Sequence, residues 1–305
     1  MFEFVKKGMT KEAKMQQILD WIEEADAVVI GGASGMSTAN GFDYYNKHTP
    51  FFEEHFGDFG KIYHEGSAWD LLYHQYRNDE ERWAYMARSG AVMLDLEVGK
   101  TYTDLYELVK HKDHYIITTN QDAQFSKVFD SNKIFTIQGD AHWMQCSRRC
   151  SEEIYPSEET LHRLNAAIVD GKLKTEDVPH CPKCGAVMEP WVKSFIFQYG
   201  EYWNKEAKKY KAYLEKHAND KVFFLGLGIG RMTPEFIKHP FIQMTYNWPN
   251  ARCAFLNMGE PEPYKEVEDR TIALNVDILD TLDQMVQMKH GTYERDYEKK
   301  SAVNA

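Results

Sequence analysis

The amino-acid sequence predicts an α/β fold, with a doubly wound parallel sheet and a smaller inserted lobe. Short apolar runs typical of buried parallel strands, such as residues 27–30, alternate with helical segments such as residues 10–25. A glycine-rich turn at residues 31–37 follows the first apolar run, as in units that hold a phosphate between a strand and a helix. Four cysteines then interrupt the alternation between residues 140 and 189. Regular alternation favours a parallel sheet, and the interruption predicts the inserted lobe.

The individual elements follow from the period of their apolar residues. In the first helix Met15, Ile18, Leu19 and Ile22 share one face. Further strands are predicted at residues 115–119, 133–137, 221–225, 254–256 and 271–274, and further helices at residues 102–110, 204–217 and 278–288.

Domain organisation follows from the same pattern. The chain has 305 residues, enough for one large domain with inserted parts. Residues 45–90 are rich in aromatic side chains at helical spacing, which favours a packed helical lobe over an aromatic cage for a ligand. We therefore expect a Rossmann-like part formed by residues 1–44, 91–139 and 190–305, a helical lobe at residues 45–90 and a cysteine-containing lobe at residues 140–189.

The cysteine spacing indicates a metal site. Cys146 and Cys150 form a C-x3-C pair, and Cys181 and Cys184 form a C-x2-C pair followed by a glycine that suits a positive φ. Two such turns present four sulfurs to one tetrahedral ion, and a closed sulfur shell leaves no position for substrate. We predict a structural zinc site, with free buried cysteines or disulfides as the alternatives. Cys253 lies in an apolar run and is expected in the core.

Composition excludes several partners. The formal net charge of −11 argues against an electrostatic grip on nucleic acid or an anionic membrane. No apolar run has the length of a transmembrane helix, and the first seven residues contain no apolar signal core. A cytoplasmic protein is therefore expected.

Several short motifs, taken in order, resemble the sirtuin family. They are the turn at residues 32–37 leading into residues 40–45, Thr118-Thr119-Asn120-Gln121-Asp122, Gln138-Gly139 before the cysteine lobe, Pro190 and Tyr199-Gly200-Glu201 after it, Gly226-Leu227-Gly228 with Pro234, Asn257, and Val276-Asp277. The two cysteine pairs fall where that family has its structural zinc. The resemblance covers nearly the whole chain and implies a single sirtuin-like catalytic domain.

That resemblance implies NAD as co-substrate and assigns roles to residues. Asn120 would orient the nicotinamide ribose, Asp122 would accept a hydrogen bond from the nicotinamide carboxamide, and Gln138 would complete the catalytic set. An ordinary Asx-rich turn after a strand is the alternative for the first two. The implied cofactor-binding residues are Gly32, Ala33, Ser34, Gly35, Asp43, Thr119, Asn120, Gln121, Asp122, Gln138, Gly226, Gly228, Asn257, Val276 and Asp277.

The departures from the family pattern bear on the reaction. Gln138 stands where a sirtuin deacylase has its histidine, and an amide cannot act as a general base. His142, four residues on, is the alternative base. Tyr45 replaces the family's arginine, and residues 45–90 differ from its cofactor loop, so a different acceptor pocket is expected. Cleavage of the bond between nicotinamide and ribose does not require the missing base.

A divergent, macrodomain-linked (class M) branch of the sirtuins has lost this histidine. The resemblance to it implies a protein mono-ADP-ribosyltransferase whose acceptor is a lipoylated carrier protein, together with a macrodomain protein that reverses the modification. The alternatives are an NAD-dependent protein deacylase, an NAD glycohydrolase and a non-catalytic NAD or ADP-ribose sensor.

Overall fold

A computed structural model describes residues 8–259 and 265–294 of the chain. The chain divides into two compact units. The first takes its described residues from Met1–Met36, Lys100–Ile116 and Glu215–Ala305, and the second consists of Ser37–Gly99 and Ile117–Leu214. Within the described ranges, none of the helices has both the length and the apolar character needed to cross a bilayer. The predicted division of the chain by function stays a prediction.

Ten α-helices and nine strands, numbered in chain order, are found in the described residues, besides four short 3-10 helices. The helices are α1 (Lys11–Glu24), α2 (Gly35–Ala39), α3 (Pro50–Tyr63), α4 (Ala68–Tyr73), α5 (Asp79–Asp95), α6 (Lys100–Val109), α7 (Glu158–Ala166), α8 (Glu201–His217), α9 (Lys238–Asn247) and α10 (Ile278–His290). The strands are β1 (Ala27–Gly32), β2 (His114–Thr118), β3 (Ile134–Thr136), β4 (Gly139–Cys146), β5 (Ile154–Pro156), β6 (Met188–Val192), β7 (Val222–Leu227), β8 (Arg252–Asn257) and β9 (Thr271–Asn275).

The predicted parallel sheet is confirmed. It has six strands in the order β3-β2-β1-β7-β8-β9. In the first unit all six residues of β1 are buried, as are those of β7, which explains why both strands are continuous apolar runs. β1 and β7 pair in parallel with Gly31 opposite Gly226, so their glycine-rich carboxyl ends lie side by side.

Helix α1 shows how local signals define the elements. The Thr10 side chain accepts a hydrogen bond from the backbone N–H of Ala13 at 3.2 Å and caps the helix. Met15, Ile18 and Ile22 are buried on one face, as their spacing predicts. The helix ends two residues before β1.

The second unit has an aromatic core. Helices α3, α4 and α5 contribute side chains that lie almost entirely out of water, among them Phe52, Phe56, Phe59, Trp83 and Tyr85. Ring pairs such as Phe59 and Tyr85, with centroids 5.9 Å apart, pack edge to face. These rings contact one another, which favours packing over a ligand cage.

A small antiparallel sheet, in the order β5-β4-β6, also belongs to the second unit. Met144 in β4 lies opposite Tyr155 on one side and Pro190 on the other. The sequence patterns did not predict this sheet, because β5 has only three residues and β4, although eight residues long, lacks apolar alternation. It supports the region that holds the four clustered cysteines.

Candidate active site

The glycine-rich turn of the first unit is built by close backbone contact. The N–H of Ala33 donates to the carbonyl of Leu227 at 3.0 Å, and the N–H of Gly35 donates to the carbonyl of Gly228 at 3.1 Å. Gly228 has φ +67°, and a Cβ on it would lie 2.5 Å from the backbone nitrogen of Met36. Only glycine fits there. The turn is therefore built by packed backbone at the carboxyl ends of β1 and β7, where open parallel sheets bind ligands.

Other predicted residues of the first unit differ in their surroundings. The Asn257 amide donates to the carbonyl of Ile229 at 3.3 Å, and the N–H of Val276 donates to the carbonyl of Asn257 at 3.3 Å. The Asp277 carboxylate accepts from the N–H of Asp280 at 3.0 Å and caps α10. Asn257 and Val276 are thus brought together at the end of β8, while the side chain of Asp277 already has a structural partner.

Gly226 lies inside β7 rather than in the turn. A Cβ on it would lie 2.4 Å from the ring of Phe255 on the neighbouring strand. Packing therefore accounts for this glycine, and its role as a cofactor contact stays a prediction.

In the second unit Asn120 and Asp122 belong to one buried hydrogen-bonded cluster. The Asn120 side-chain amide donates to Oγ of Ser37 at 3.2 Å, and the Ser37 hydroxyl donates to the Asp122 carboxylate. The backbone N–H of Asn120 donates to Oγ1 of Thr118 at 3.0 Å. Asn120 and Asp122 are only 8% and 4% exposed, although they directly follow a strand end. An ordinary exposed Asx turn does not bury its side chains in this way.

Ser37 is a residue of this cluster that sequence reasoning did not single out. It lies 83 positions from Asn120 and 85 from Asp122, so no local pattern reports the contact. Its one signal is that it is a small polar residue at the end of the glycine-rich turn, inside the short helix α2 that begins at Gly35.

Burial shifts the pKa of the Asp122 carboxyl group. Removal from water raises the pKa of its carboxyl, and hydrogen bonds from Ser37 and from the backbone N–H of Gln124 oppose that rise. Ala123, which lies between Asp122 and Gln124, adopts a left-handed backbone conformation with φ 57°. Such a conformation costs a non-glycine residue about 1–3 kcal/mol and is often found at functional sites. With Ala123 in this conformation, the N–H of Gln124 lies 3.3 Å from the Asp122 carboxylate and donates to it.

Gln138 lies immediately before β4 and is half-buried. Its carbonyl accepts from the backbone N–H of Lys193 at 2.8 Å, and the N–H of Ala141 donates to the carbonyl of Gln121 at 3.0 Å. The first of these bonds fixes the backbone at Gln138, and the second ties β4 to the segment that carries Asn120.

Two further predicted residues of the second unit are less buried than Asn120 and Asp122. Thr119 is half-buried. The Asp43 carboxylate accepts from the backbone N–H groups of Tyr45 and Asn46, each at 3.0 Å, and forms a local turn. The turn explains Asp43 without a ligand, and its contact with a cofactor stays a prediction.

His142 is paired with a carboxylate. Its Nδ1 lies 3.1 Å from Oδ1 of Asp140, and this hydrogen bond raises the pKa of the imidazole in spite of partial burial. A raised pKa favours the imidazolium ion, which has no free lone pair to accept a proton. The pairing therefore weakens His142 as a substitute general base.

The four cysteines of the second unit meet in space. Their sulfur atoms all lie within 4.8 Å of one another. Cys146 and Cys184 have sulfurs 3.5 Å apart, as do Cys150 and Cys181. In a tetrahedral zinc site with Zn–S bonds of ~2.3 Å the sulfurs are roughly 3.8 Å apart, so the cluster fits such an ion.

The turn that carries the second cysteine pair has the predicted form. Gly185, directly after Cys184, has φ +70°, and its N–H donates to the carbonyl of Cys181 at 2.9 Å. This is the positive φ expected of the glycine that follows the pair. Both sulfurs of the pair are thereby directed to one point, and the four cysteines together could hold a metal ion.

Solved structures define the class of fold. A Sir2 homologue in complex with NAD has a TM-score of 0.60 at 14% identity, covering 95% of this chain and 98% of that one. A Sir2 variant with a deacetylated p53 peptide and 3'-O-acetyl ADP-ribose has a TM-score of 0.57 at 18% identity, covering 92% and 99%. The fold is therefore that of the sirtuins, with a parallel sheet and a small lobe that carries four cysteines.

Sequence relatives define the family within that class. A Staphylococcus aureus (strain Mu50 / ATCC 700699) protein named protein ADP-ribosyltransferase is 35% identical over 276 residues, covering 88% of this chain and 86% of that protein. The chain belongs to the protein ADP-ribosyltransferase family, as a sirtuin-like, NAD-dependent transferase. A Fusarium oxysporum f. sp. cubense protein named probable bifunctional ADP-ribose hydrolase/ADP-ribosyltransferase is 24% identical over 76% of this chain and 40% of its own length. No protein-family model matches.

Proposed function

We propose that the protein cleaves nicotinamide from NAD and transfers the ADP-ribose group to a side chain of a partner protein. The buried cluster of Ser37, Asn120 and Asp122 carries this proposal. The cluster holds an oriented amide and a buried carboxyl group at a strand end, and family membership supplies the reaction class. A merely structural turn would not require two buried polar side chains and a strained Ala123.

In the first unit the backbone from Gly32 to Gly35 would bind the pyrophosphate. Its support is the glycine-only contact at Gly228, which fixes the shape of the turn at a strand end. The N–H groups of Ala33 and Gly35 already donate to the carbonyls of Leu227 and Gly228, so the pyrophosphate would meet the other main-chain atoms of the turn. Asn257 and the backbone of Val276 would bind the adenosine end, a role supported by the hydrogen bond that joins them.

In the second unit Asn120 would orient the nicotinamide ribose, and Asp122 would accept a hydrogen bond from the carboxamide N–H. The bond from ribose to the pyridinium nitrogen breaks, and its electrons leave with neutral nicotinamide. The oxocarbenium-like carbon is then attacked by a nucleophile of the partner protein, which loses its proton. Positioning and electrostatics dominate such a reaction, and these two residues could supply both.

Gln138 would complete the site through hydrogen bonds alone. An amide has no pKa in the range needed to deprotonate a ribose hydroxyl, so the later steps of deacylation lack their base. His142 does not make up the loss, because its hydrogen bond with Asp140 raises the imidazole pKa. We therefore favour transfer over deacylation.

A lipoylated carrier protein is the proposed acceptor, and a macrodomain protein the proposed partner that removes the modification. The acceptor rests on the resemblance to the macrodomain-linked branch of the sirtuins. The second partner has additional support, because the name of the fungal relative joins an ADP-ribose hydrolase and a transferase in one protein.

The cysteine cluster is proposed to hold structural zinc. Four sulfurs at nearly tetrahedral spacing leave no open ligand position, so the ion would stabilise the fold of the second unit and take no part in transfer.

Transfer from radiolabelled NAD to a purified carrier protein tests the function. The carrier is prepared with and without its lipoyl group, and an acetyl-lysine peptide is assayed in parallel. We expect label on the lipoylated carrier only, with nicotinamide release in equal amount and negligible deacetylation. Robust deacetylation without transfer would identify the protein as a deacylase, and nicotinamide release without an acceptor as a glycohydrolase.

A further inference from the structure

The loop between β6 and α8, residues 193–200, presents one aromatic side chain entirely to solvent. Phe195 at its tip is fully exposed, whereas other large apolar side chains among the described residues reach at most 68%. A phenyl ring left in water forgoes one of the largest hydrophobic contributions available to a side chain. Such an exposed ring indicates a surface that another molecule covers.

The exposure does not come from a loosely held loop. Gln145, fully buried in β4, donates its amide to the carbonyl of Ile196 at 2.6 Å and accepts from the N–H of Gln198 at 2.8 Å. The Trp191 indole donates to the Gln198 carbonyl at 2.9 Å. These bonds hold the side of the loop that follows Phe195, and the N–H of Phe197 donates to the carbonyl of Ser194 at 3.2 Å across the tip. Phe195 is thus presented in a preorganised conformation, which lowers the entropic cost of binding.

The base of the loop is joined to the candidate active site. The backbone N–H of Lys193 donates to the carbonyl of Gln138 at 2.8 Å. A protein that covers Phe195 therefore lies beside Gln138 and the start of β4.

The charge of the surrounding segment indicates the chemistry of the protein that would cover Phe195. Residues 193–214 contain five lysines and only two glutamates, although the whole chain has a net charge of −11. Lys193 lies over the ring of Tyr199, with Nζ 4.4 Å from its centroid, and Lys205 and Lys208 are exposed on α8. A basic segment that carries an exposed apolar side chain is complementary to an acidic partner with an apolar pocket.

We propose that Phe195 is the anchor through which the acceptor protein docks, and that this acceptor presents an apolar pocket bordered by carboxylates. Lys193, Lys205 and Lys208 would steer and orient it. The inference rests on the proposed function, because it concerns the acceptor of the same transfer reaction. Aromatic side chains at the centre of an interface commonly dominate its binding energy.

Steady-state transfer to the lipoylated carrier protein tests the anchor. For Phe195→Ala we expect the KM for the carrier to rise at least tenfold and the kcat at saturating carrier to stay within twofold. Tyr246→Ala, which removes a 57% exposed ring in α9, is the matched control and should change neither value. Circular dichroism of both variants checks that the fold is kept.

The charge component is tested by reversing two lysines. Lys205→Glu combined with Lys208→Glu should raise the KM for the carrier at low salt and flatten its dependence on ionic strength. Lys61→Glu with Lys174→Glu makes the same change in net charge at two other exposed lysines of the second unit and should leave that dependence intact.

Each outcome is decisive. An unchanged KM for Phe195→Ala, with active wild-type protein, overturns the docking site and leaves the proposed function standing. If the wild-type protein does not modify the carrier at all, the function and the docking site both fail. If sedimentation shows that wild-type protein is a dimer and Phe195→Ala a monomer, the ring binds a second copy of the chain and the proposal is wrong.

Discussion

The glycine turn of the first unit and the polar cluster of the second differ in the atoms they offer to a ligand. Around Gly35 and Gly228 the contacts are backbone against backbone, with no room for a Cβ. Around Asn120 and Asp122 they are side chain against side chain, and the carboxyl pKa is shifted by burial. The turn would therefore recognise a ligand by its shape, and the cluster would recognise it by charge and hydrogen bonding. Substitutions should therefore affect NAD binding in the first region and the chemical step in the second.

The largest effect is expected from the metal site, because loss of zinc would remove folding free energy. The effect should be confined to the second unit, which holds the four cysteines. Cys181→Ser should reduce bound zinc from about one ion per chain to none and unfold the antiparallel sheet, since structural zinc contributes ~10–16 kcal/mol to the folding of small domains. Metal analysis and hydrogen exchange measure this. β4 and β6 should lose protection while β7 and β8 keep theirs.

The control for the metal site is Cys253→Ala. That buried cysteine lies in β8, apart from the four clustered sulfurs. It should leave the zinc content unchanged. Stable, metal-free protein with four unpaired cysteines would contradict a structural zinc.

Next in size is the loss of positioning at the reacting carbon. Asn120→Ala should lower the kcat for transfer by about 100-fold or more, because orientation of the reactants supplies several kcal/mol of catalysis. Gln138→Ala should lower it by no more than the loss of one hydrogen bond, ~0.5–1.5 kcal/mol or about tenfold. Single-turnover transfer from labelled NAD gives both values. Equal losses would show that Gln138 takes a direct part in the chemistry.

Gln138→His tests the same site from the other side. It restores a base, but it does not restore a pocket for acyl-lysine. We expect little deacetylation of an acetyl-lysine peptide by this variant, measured beside the wild-type protein. Strong deacetylation would show that the base was the only part missing.

The glycine turn should respond in NAD affinity and stability. Gly228→Ala introduces a Cβ 2.5 Å from the Met36 nitrogen at a positive φ, which should cost about 1–3 kcal/mol in urea unfolding and weaken NAD binding in calorimetry. Gly230→Ala is the control, since a Cβ there meets nothing within 4 Å. If both variants bound NAD like the wild-type protein, the turn would not be the pyrophosphate site.

The smallest effect concerns the charge of Asp122. Its pKa is raised above 3.8 by burial, so the folded protein keeps a proton that the unfolded chain has released, and stability falls as pH rises through the folded pKa. Asp122→Asn should therefore raise the melting temperature near neutral pH, by about 2–4 °C per kcal/mol relieved, and lower transfer. The gain should vanish below pH 3.8. A melting temperature lowered at neutral pH would contradict a costly buried charge.

Sequence patterns were sufficient to predict the parallel sheet, because a strand that is buried on both faces has a continuous run of apolar residues. β1 and β7 are continuous apolar runs, and Thr10 marks the start of α1 with its capping side chain. The cysteine pairs likewise predicted a cluster that the structure brings within 4.8 Å. Each of these signals lies within a few residues of the chain.

The rest of the site depends on contacts between residues far apart in the sequence, which no local sequence pattern indicates. Ser37 meets Asp122 across 85 positions, and Gln145 meets Ile196 across 51. β4 was not predicted because its sequence, Gly139 to Cys146, lacks the alternation of a half-buried strand. Its hydrogen bonds to β5 and β6 define it instead.

The loop that carries Phe195 has a consequence for how this family diversifies. Gln145 holds the loop through main-chain atoms of Ile196 and Gln198, which any residue at the tip would also provide. Positions 194 and 195 can therefore vary in a lineage while the loop keeps its shape and Gln138 its support. Under the proposed docking role of Phe195, the choice of acceptor and the chemistry of transfer would depend on different residues. Exchanging residues 194 and 195 between relatives should then change the acceptor preference without altering the rate of nicotinamide release.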